Sequence, residues 1–482
     1  MKAKRKNPAA IVKFILTNTI LLFLASCNGS LHEKKEISLE NNVQQITAFK
    51  AHVKHIIIIY QENWSFDGLY GRFPHANNLS NATNYKQKDS LGNLLTQQGY
   101  PKPYIDPDTK KPDSKFTAAN TPMYPYRLDS LGIMVDSNTG DIVHRFYTEQ
   151  LQINNGAMDR FVAWSNNPGL VQSYFDASNL PEGKLAQQYT MCDNFFHSAF
   201  GGSFLNHMWL VSAKTPHWSG NPPTEMLSHP ADHSHPKVYD NALDPNGYAI
   251  NTVYSKNLIP YYVNKESASL MSSLNDSTIA DRLIDKKITW SWYSGGWDSR
   301  YDPIVSKANQ FQYHHQPFAY YSRSNSSAYL KDEKEFYKKL HSDSLPQVCF
   351  IKPVGIYNEH PQYATVKAGQ QHVADLIDSI KKSKYWSETL IIIAYDENGG
   401  RWDHVSPPTS VDTWGPGTRV PAILVSPWSK SDTLKNRIDH TQYETVSILK
   451  TIEVLFDLQP LSNRDRRAQP MLSSLEFDKR KD

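Results

Sequence analysis

Four short runs of consecutive apolar, mostly β-branched residues stand out along this chain. They are Ile56 to Tyr60, Gln347 to Ile351, Leu390 to Tyr395 and Ala422 to Ser426. Runs of this length without polar alternation are typical of strands that are covered on both faces, as in parallel sheets. The pattern therefore predicts an α/β fold with a mostly parallel central sheet and helices on both faces.

Two further segments have the apolar spacing of amphipathic helices. Gln370 to Lys382 connects the second strand run to the third, as a crossover helix would, and Asp439 to Phe456 follows the last run. In contrast, residues 83–142 and 215–275 are rich in Pro, Asn, Asp, Ser and Tyr and show weak periodicity. We interpret these two stretches as insertions that cap the sheet.

The first 27 residues have the pattern of a processing signal. A basic start precedes the apolar stretch Phe14 to Leu24, which is shorter than the roughly 20 residues of a membrane-spanning helix. The stretch ends in Leu24-Ala25-Ser26-Cys27, which resembles the lipobox of bacterial lipoproteins. We therefore expect an exported lipoprotein, anchored through Cys27 to a periplasm-facing membrane or the cell surface. A plain secretory signal with an incidental cysteine is the alternative.

After this signal, residues 28–51 are polar and charged and predict a flexible tether, followed by a single domain over residues 52–482. The chain has 51 basic and 48 acidic residues, with part of the basic excess in the leader, so charge gives no support for nucleic-acid binding. Cys192 and Cys349 either form a disulfide or are simply buried. The oligomeric state is left open by the sequence.

Oxygen-bearing side chains follow two of the predicted strands. Glu62 and Asn63 come after the first, and Asp396 and Glu397 come after the third. Ligands bind beyond the carboxyl ends of strands in open α/β sheets, and carboxylate and amide oxygens suit hard divalent cations. These residues predict a site for a divalent metal ion whose identity stays open. The alternatives are a helix start at Asn63 or Ser65 and a plain acidic turn at Asp396.

Ser203 follows Gly201 and Gly202 at the start of a predicted helix, where backbone N–H groups favour negative charge. Such a serine is a candidate nucleophile, and an ordinary helix cap is the alternative. Histidines that could bind phosphoryl oxygens or transfer a proton are His144, His314, His315 and His360.

Taken together, six sequence blocks resemble the bacterial phosphoesterases that include acid phosphatases and non-specific phospholipases C, with the closest likeness to the acid phosphatase branch. The blocks are HIIIIYQENWSFDGLYGRFP, INNGAMDRFVAWS, KLAQQYTMCDNFFHSAFGGSFLNHMWL, FQYHHQPFAYY, YDENGGRWDHVSPP and WGPGTRVPAILVSP. They span about His55 to Arg464 in the order of the family.

The resemblance implies an alkaline-phosphatase-like sandwich and assigns roles to matching positions. Ser203 matches the nucleophile, and the metal ligands would be Glu62, Asn63, Asp396, Glu397 and Ser203. The matching histidines of the phosphate pocket are His144, His314, His315 and His360. The expected reaction is hydrolysis of phosphomonoesters through a phosphoserine. A phospholipase C acting on phospholipids and a non-catalytic surface binding lipoprotein are the alternatives.

Overall fold

A computed structural model describes residues 42–96, 121–229, 240–266, 269–430, 433–478 and 480. The chain divides into residues 1–51 and 52–482. Helix α1 covers residues 42–52, so all of its residues except the last belong to the first unit. Ten residues of the predicted tether are thus helical, and the rest of that tether, with Cys27, lies outside the described residues.

The second unit is built around an eight-stranded sheet with the order β11-β4-β10-β9-β1-β8-β6-β7. The strands of the chain are β1 (His55–Gln61), β2 (Tyr126–Arg127), β3 (Ser173–Tyr174), β4 (Thr190–Cys192), β5 (Phe195–Phe196), β6 (Trp290–Ser294), β7 (Leu330–Asp332), β8 (Val348–Lys352), β9 (Thr389–Tyr395), β10 (Ala422–Val425), β11 (Ile438–Asp439) and β12 (Tyr443–Glu444).

The centre of the sheet is parallel. Strand β1 pairs in parallel with both β8 and β9, whereas β10 runs antiparallel to its neighbours β9 and β4. Every residue of β1 and β9 is buried, so both faces of the sheet are covered at its centre. The structure confirms the predicted α/β fold with a mostly parallel sheet. It also places the carboxyl ends of β1, β8 and β9 at one edge.

The remaining helices are α2 (Phe66–Tyr70), α3 (Phe146–Ile153), α4 (Pro181–Gln188), α5 (Ser203–Ser212), α6 (Ile279–Asp285), α7 (Pro303–Ala308), α8 (Glu333–Leu340), α9 (Val366–Lys381), α10 (Thr445–Phe456) and α11 (Asn463–Arg467). Helix α9 connects β8 to β9, as predicted, and packs against α4. Helix α10 packs against α5, the helix that begins with Ser203.

The predicted helix from Asp439 to Phe456 is wrong in its first part. Asp439 ends β11, which pairs with β4, and Tyr443 begins β12, which pairs with β5. These pairings hold the backbone extended until Thr445, where the helix begins. The two cysteines of the domain, Cys192 and Cys349, are both buried and free, so they do not form a disulfide.

Candidate active site

The site lies at the carboxyl ends of three parallel strands. Glu62 follows β1, Asp396 and Glu397 follow β9, and Lys352 is the last residue of β8. Because β1 lies between β8 and β9 in the sheet, these side chains meet at one edge. All four are at most 1% exposed. The sheet therefore brings three carboxylates and one ammonium out of contact with bulk water.

The loop after β9 lies directly against the loop after β1. Gly399 has a φ of +60°, and a Cβ built on it would lie 2.3 Å from the carbonyl oxygen of Asn63. Only glycine tolerates both this backbone conformation and this close approach. Asn63 itself has a φ of +64°, and its backbone N–H donates to Asp396 Oδ1 at 3.1 Å. The two predicted metal-binding loops are thus fixed to one another.

Ser203 is the first residue of α5, and the residue that caps this helix is Gly202. Ser203 Oγ lies 3.2 Å from Glu62 Oε2 and 3.5 Å from Glu397 Oε1. The alternative that Ser203 is an ordinary helix cap is therefore wrong. The cap of α2 is Ser65, whose side chain accepts from the Gly68 N–H, so Asn63 is not a cap either.

The glycine loop before Ser203 is held by a buried ion pair. Glu149 Oε2 accepts from the Gly201 N–H at 2.6 Å, and Glu149 Oε1 accepts from the ring of His197 at 2.9 Å. Burial favours the neutral acid, but His197 together with the backbone N–H groups of Gly201 and Thr418 outweighs it and lowers the pKa of Glu149. Thr418 donates its backbone N–H and hydroxyl to the same carboxylate. This charged anchor fixes the position from which Ser203 extends.

Two of the four predicted histidines contact this cluster, and the other two lie beside them. His144 Nε2 lies 3.5 Å from Glu397 Oε1, and His315 Nε2 lies 3.2 Å from Glu62 Oε1. The ring of His360 is 6.2 Å from the ring of His144, and that of His314 is 4.5 Å from that of His315, measured between centroids. The structure thus gathers residues that are far apart in the sequence around Ser203.

Burial makes two of these imidazoles weak bases. Desolvation, with contributions from nearby positive groups, lowers the pKa of His314 to about 3 and that of His360 to about 4. Desolvation also lowers the pKa of His315, and Lys352 adds to the effect. At neutral pH these three rings are uncharged, so each has one N–H. His315 directs its Nε2 at Glu62 Oε1, whereas the N–H groups of His314 and His360 can donate to phosphoryl oxygens.

The carboxylates are poorly compensated by the protein. Burial, together with the charge of Asp396, raises the pKa of both Glu62 and Glu397. Asp396 Oδ2 and Asn63 Oδ1 are buried and have no hydrogen-bond partner. Other buried oxygens of the described residues also lack a hydrogen-bond partner, such as those of Glu453, but these two lie beside the carboxylates of Glu62 and Glu397, and oxygen ligands are what a hard divalent cation requires. Glu62, Asn63, Asp396, Glu397 and Ser203 therefore fit a divalent metal ion.

Sequence reasoning missed two residues of the site, Lys352 and His207. Lys352 directly follows the predicted strand Gln347 to Ile351, so the rule that found Glu62 and Asp396 also applies to it. His207 lies four residues after Ser203 on α5 and hence on the same helix face. Its Nδ1 lies 2.7 Å from the carbonyl oxygen of Ser203.

A cavity of about 170 Å³ lies beside the serine loop. Its lining includes His144 and Gly202 from the site, together with Asn241 and Asn251 from the second predicted insertion. Arg145 also lines it and donates to the backbone oxygen of Asp240 in the same insertion. The insertion therefore forms one wall of the space next to Ser203.

The family model of the Phosphoesterase family matches residues 53–459. The chain belongs to the Phosphoesterase family. This confirms the family suggested by the six sequence blocks, and it makes the protein a hydrolase of phosphoric esters. Membership also argues against the non-catalytic alternative.

This phosphoesterase is similar to several named proteins. It is 24% identical to phospholipase C B of Mycobacterium tuberculosis over 464 residues, covering 88% of this chain and 78% of that protein. It is 24% identical to the non-hemolytic phospholipase C of Pseudomonas aeruginosa, over 89% of this chain and 59% of that protein. A solved structure of an alkaline phosphatase superfamily protein from Vibrio parahaemolyticus matches with 13% identity and a TM-score of 0.32, covering 60% of this chain and 65% of that one.

Proposed function

We propose that this protein hydrolyses phosphomonoesters through a covalent phosphoserine at Ser203. The observation that carries the proposal is the position of the Ser203 hydroxyl. It lies at the start of α5, where helix N–H groups favour negative charge, and between two carboxylates that follow separate strands. A serine hydroxyl held in this way is suited to lose its proton and attack phosphorus.

The position of Glu62 supports a role for it in that proton loss, because its Oε2 accepts from the Ser203 hydroxyl at 3.2 Å. A bound divalent cation would supply charge neutralisation and help to hold the serine oxygen. The residues in position to hold that cation are Glu62, Asn63, Asp396 and Glu397, with Ser203.

In the proposed reaction, Ser203 Oγ forms a bond to phosphorus while the bond to the leaving alcohol breaks. The uncharged rings of His314 and His360 donate N–H groups to the phosphoryl oxygens, and His315 holds the Glu62 carboxylate beside Ser203. We assign the leaving-group proton to His144, because its Nε2 lies beside Glu397 and its Nδ1 lies 3.5 Å from Asp141. Water then attacks phosphorus and gives a proton to His144, the bond from phosphorus to Ser203 Oγ breaks, and inorganic phosphate leaves while Glu62 returns the serine proton to Oγ.

A phospholipase C activity on phosphodiesters is the second candidate. It is favoured by the similarity to phospholipases C of two bacteria over most of this chain. The same serine would then attack a diester and carry the phosphorylated headgroup. The two candidates differ in the group that becomes attached to Ser203.

The experiment compares rates and trapped intermediates on two substrates. The full chain, purified in detergent, is assayed with p-nitrophenyl phosphate and with phosphatidylcholine in mixed micelles. Acid quenching followed by mass spectrometry of the Ser203 peptide identifies the attached group. Phosphoserine with faster turnover of the monoester supports the phosphatase, and a phosphocholine adduct with faster turnover of the lipid supports the phospholipase. An unmodified Ser203 during turnover, together with an active S203A variant, overturns both.

We also propose that Cys27 carries the lipid that anchors the protein to a membrane. Among the residues that the structure describes, no helix is long and apolar enough to cross a membrane. The supporting pattern is the basic start, the short apolar stretch and the lipobox. Cys27→Ser should release the protein from the membrane fraction at unchanged specific activity. Retention of that variant in membranes would mean that another element anchors it.

A further inference from the structure

The two oxygens of the Glu62 carboxylate face different groups. Oε2 accepts from Ser203 and belongs to the predicted metal site. Oε1 faces Lys352, His315 and His207. It lies 3.2 Å from His315 Nε2 and 4.0 Å from His207 Nε2, and it is in direct contact with Lys352 Nζ. The second oxygen therefore belongs to a separate set of polar atoms behind the serine.

Without the lysine, this set would have the composition of a transition-metal site. One ligand atom from each of Glu62, His207 and His315 lies within 4.8 Å of the others. A carboxylate with two imidazoles is a ligand set used by zinc and related ions. His207 Nε2 is buried and has no hydrogen-bond partner, so no protein group occupies its lone pair.

Lys352 already places a positive charge at this group. Its side chain is 1% exposed, and Nζ also donates to the carbonyl oxygen of Tyr60 at 3.0 Å. The same Nζ lies 5.6 Å from the centroid of the Tyr60 ring. Because an ammonium at this position repels a second cation and contacts the shared carboxylate oxygen, it competes with a metal ion for the group.

We propose that Lys352 is a built-in cation that keeps the Glu62, His207 and His315 group free of metal and limits the site to one divalent ion. The inference rests on the metal-dependent site of the proposed function. The charges agree with it, because one ammonium and one divalent cation together balance the carboxylates of Glu62, Asp396 and Glu397. A second divalent ion beside Lys352 would leave the buried site with excess positive charge.

The test is the number of metal ions bound per chain. Lys352→Met removes the charge and keeps a long side chain against the Tyr60 ring, whereas Lys352→Arg keeps the charge as a matched control. Each purified full-length protein is equilibrated with excess Zn²⁺, freed of loose metal by gel filtration and measured by elemental analysis. We expect one ion in the parent and in K352R, and two in K352M. Adding His207→Asn to K352M should return the count to one.

Cobalt gives a second measurement that a purely structural role of Lys352 would not change. Co²⁺ bound to imidazole and carboxylate in K352M should produce a visible absorption band that the parent lacks and that K352M with His207→Asn loses. If K352M does not fold, Lys352→Gln carries the same test. A parent that binds two ions, or lysine variants that stay at one, would overturn the inference. Trapping of phosphoserine in the same parent preparation tests the proposed function independently.

Discussion

Two of the buried acidic clusters among the described residues have different surroundings. The active-site cluster contains Glu62, Asp396 and Glu397, and the second, which we call the structural cluster, contains Asp67 and Asp403 with His404 and Arg419. In the structural cluster, Arg419 lies 3.1 Å from Asp67 Oδ1 and 3.0 Å from Asp403 Oδ1. The other oxygens of these aspartates accept from the His404 ring and from backbone N–H groups. Each of these oxygens thus has a hydrogen-bond partner from the protein, although burial still raises the pKa of Asp403 to about 6.

The active-site cluster is left partly unsatisfied. Lys352 contacts only one of its carboxylates, and Asp396 Oδ2 and Asn63 Oδ1 have no hydrogen-bond partner, although His207 Nδ1 lies 3.9 Å from Asp396 Oδ2. Leaving charge buried and unpaired is costly, so such a site persists where a ligand completes it. The composition of the two clusters is similar, since Asp67, Asp403 and His404 could also hold a metal by proximity. The two clusters therefore differ in whether protein groups already occupy the carboxylate oxygens, as in the structural cluster, or leave some of them for a ligand, as in the active-site cluster.

The largest expected effect comes from removing charge in the active-site cluster. Asp396→Asn with Glu397→Gln should lower kcat/KM by about 10³-fold or more, because ligands and proton acceptors are lost together. The same variant should no longer be stabilised by metal, since the neutral amides relieve the repulsion without binding the ion tightly. Steady-state kinetics and thermal unfolding with and without EDTA measure both effects. Activity within about tenfold of the parent would contradict the assignment.

The next effect tests the structural cluster. Arg419→Met leaves Asp67 and Asp403 buried without their main cation, and losses of this kind cost about 3–5 kcal/mol of unfolding free energy. Urea denaturation measures the change. Metal stoichiometry should stay that of the parent, because Arg419 does not contact the active-site carboxylates. A loss below about 1 kcal/mol, or a loss of bound metal, would remove the distinction between the clusters.

Removing metal from the parent should lower its unfolding free energy by a smaller amount, and it tests the same difference between the two clusters. An ion that binds only the folded state adds about 2.7 kcal/mol to the unfolding free energy when its free concentration is a hundredfold above Kd. EDTA should therefore lower the Tm of the parent and of R419M by similar amounts. An unchanged Tm and full activity after complete metal removal, verified by elemental analysis, would reject the metal-dependent mechanism.

The sequence predicted the centre of the fold and missed its edges. The strands β1, β8, β9 and β10 lie within one or two residues of the predicted runs, because each is apolar over most of its length. The strands β6 and β7 were missed, since WSWYS and LKD carry polar and aromatic residues rather than an aliphatic run. The hydrophobic pattern also could not predict strand direction, because the antiparallel pairing of β10 with β9 depends on how the chain connects the two strands.

The part of the site that could be predicted from the sequence is the set of residues that directly follow the central strands. Glu62, Asn63, Asp396 and Glu397 follow long apolar strands, and this position alone indicates a binding edge. The histidines were placed by family resemblance, because nothing in the spacing of His144 and His360 indicates that their rings approach one another. Only the structure reveals that Asp396 Oδ2 has no hydrogen-bond partner, since a sequence does not show which buried oxygens the protein leaves without one.

The smallest expected effect concerns pH and the ring of His360. Burial lowers the pKa of His360 to about 4, below its ordinary value of about 6.5. Between these two values the unfolded chain binds a proton that the folded protein does not, so the free energy of unfolding falls as the pH decreases from 6.5 towards 4. His360→Gln removes this loss, by up to about 1.4 kcal/mol per pH unit. Urea denaturation between pH 7 and pH 5, at saturating metal, should give a shallower decline for H360Q than for the parent.

His372 provides a control, because its pKa is shifted in the opposite direction to that of His360. Burial lowers its pKa, but the hydrogen bond to Glu333 together with the charges of Glu333 and Asp375 outweighs this and raises the pKa above the ordinary value. The stability from that pair is fully present below about pH 6.5 and is lost as the pH rises through the folded pKa. His372→Gln should therefore make the decline between pH 7 and pH 5 steeper than in the parent. Parallel curves for the parent and H360Q would show that the His360 ring titrates alike in both states, and would remove it from the set of uncharged donors around Ser203.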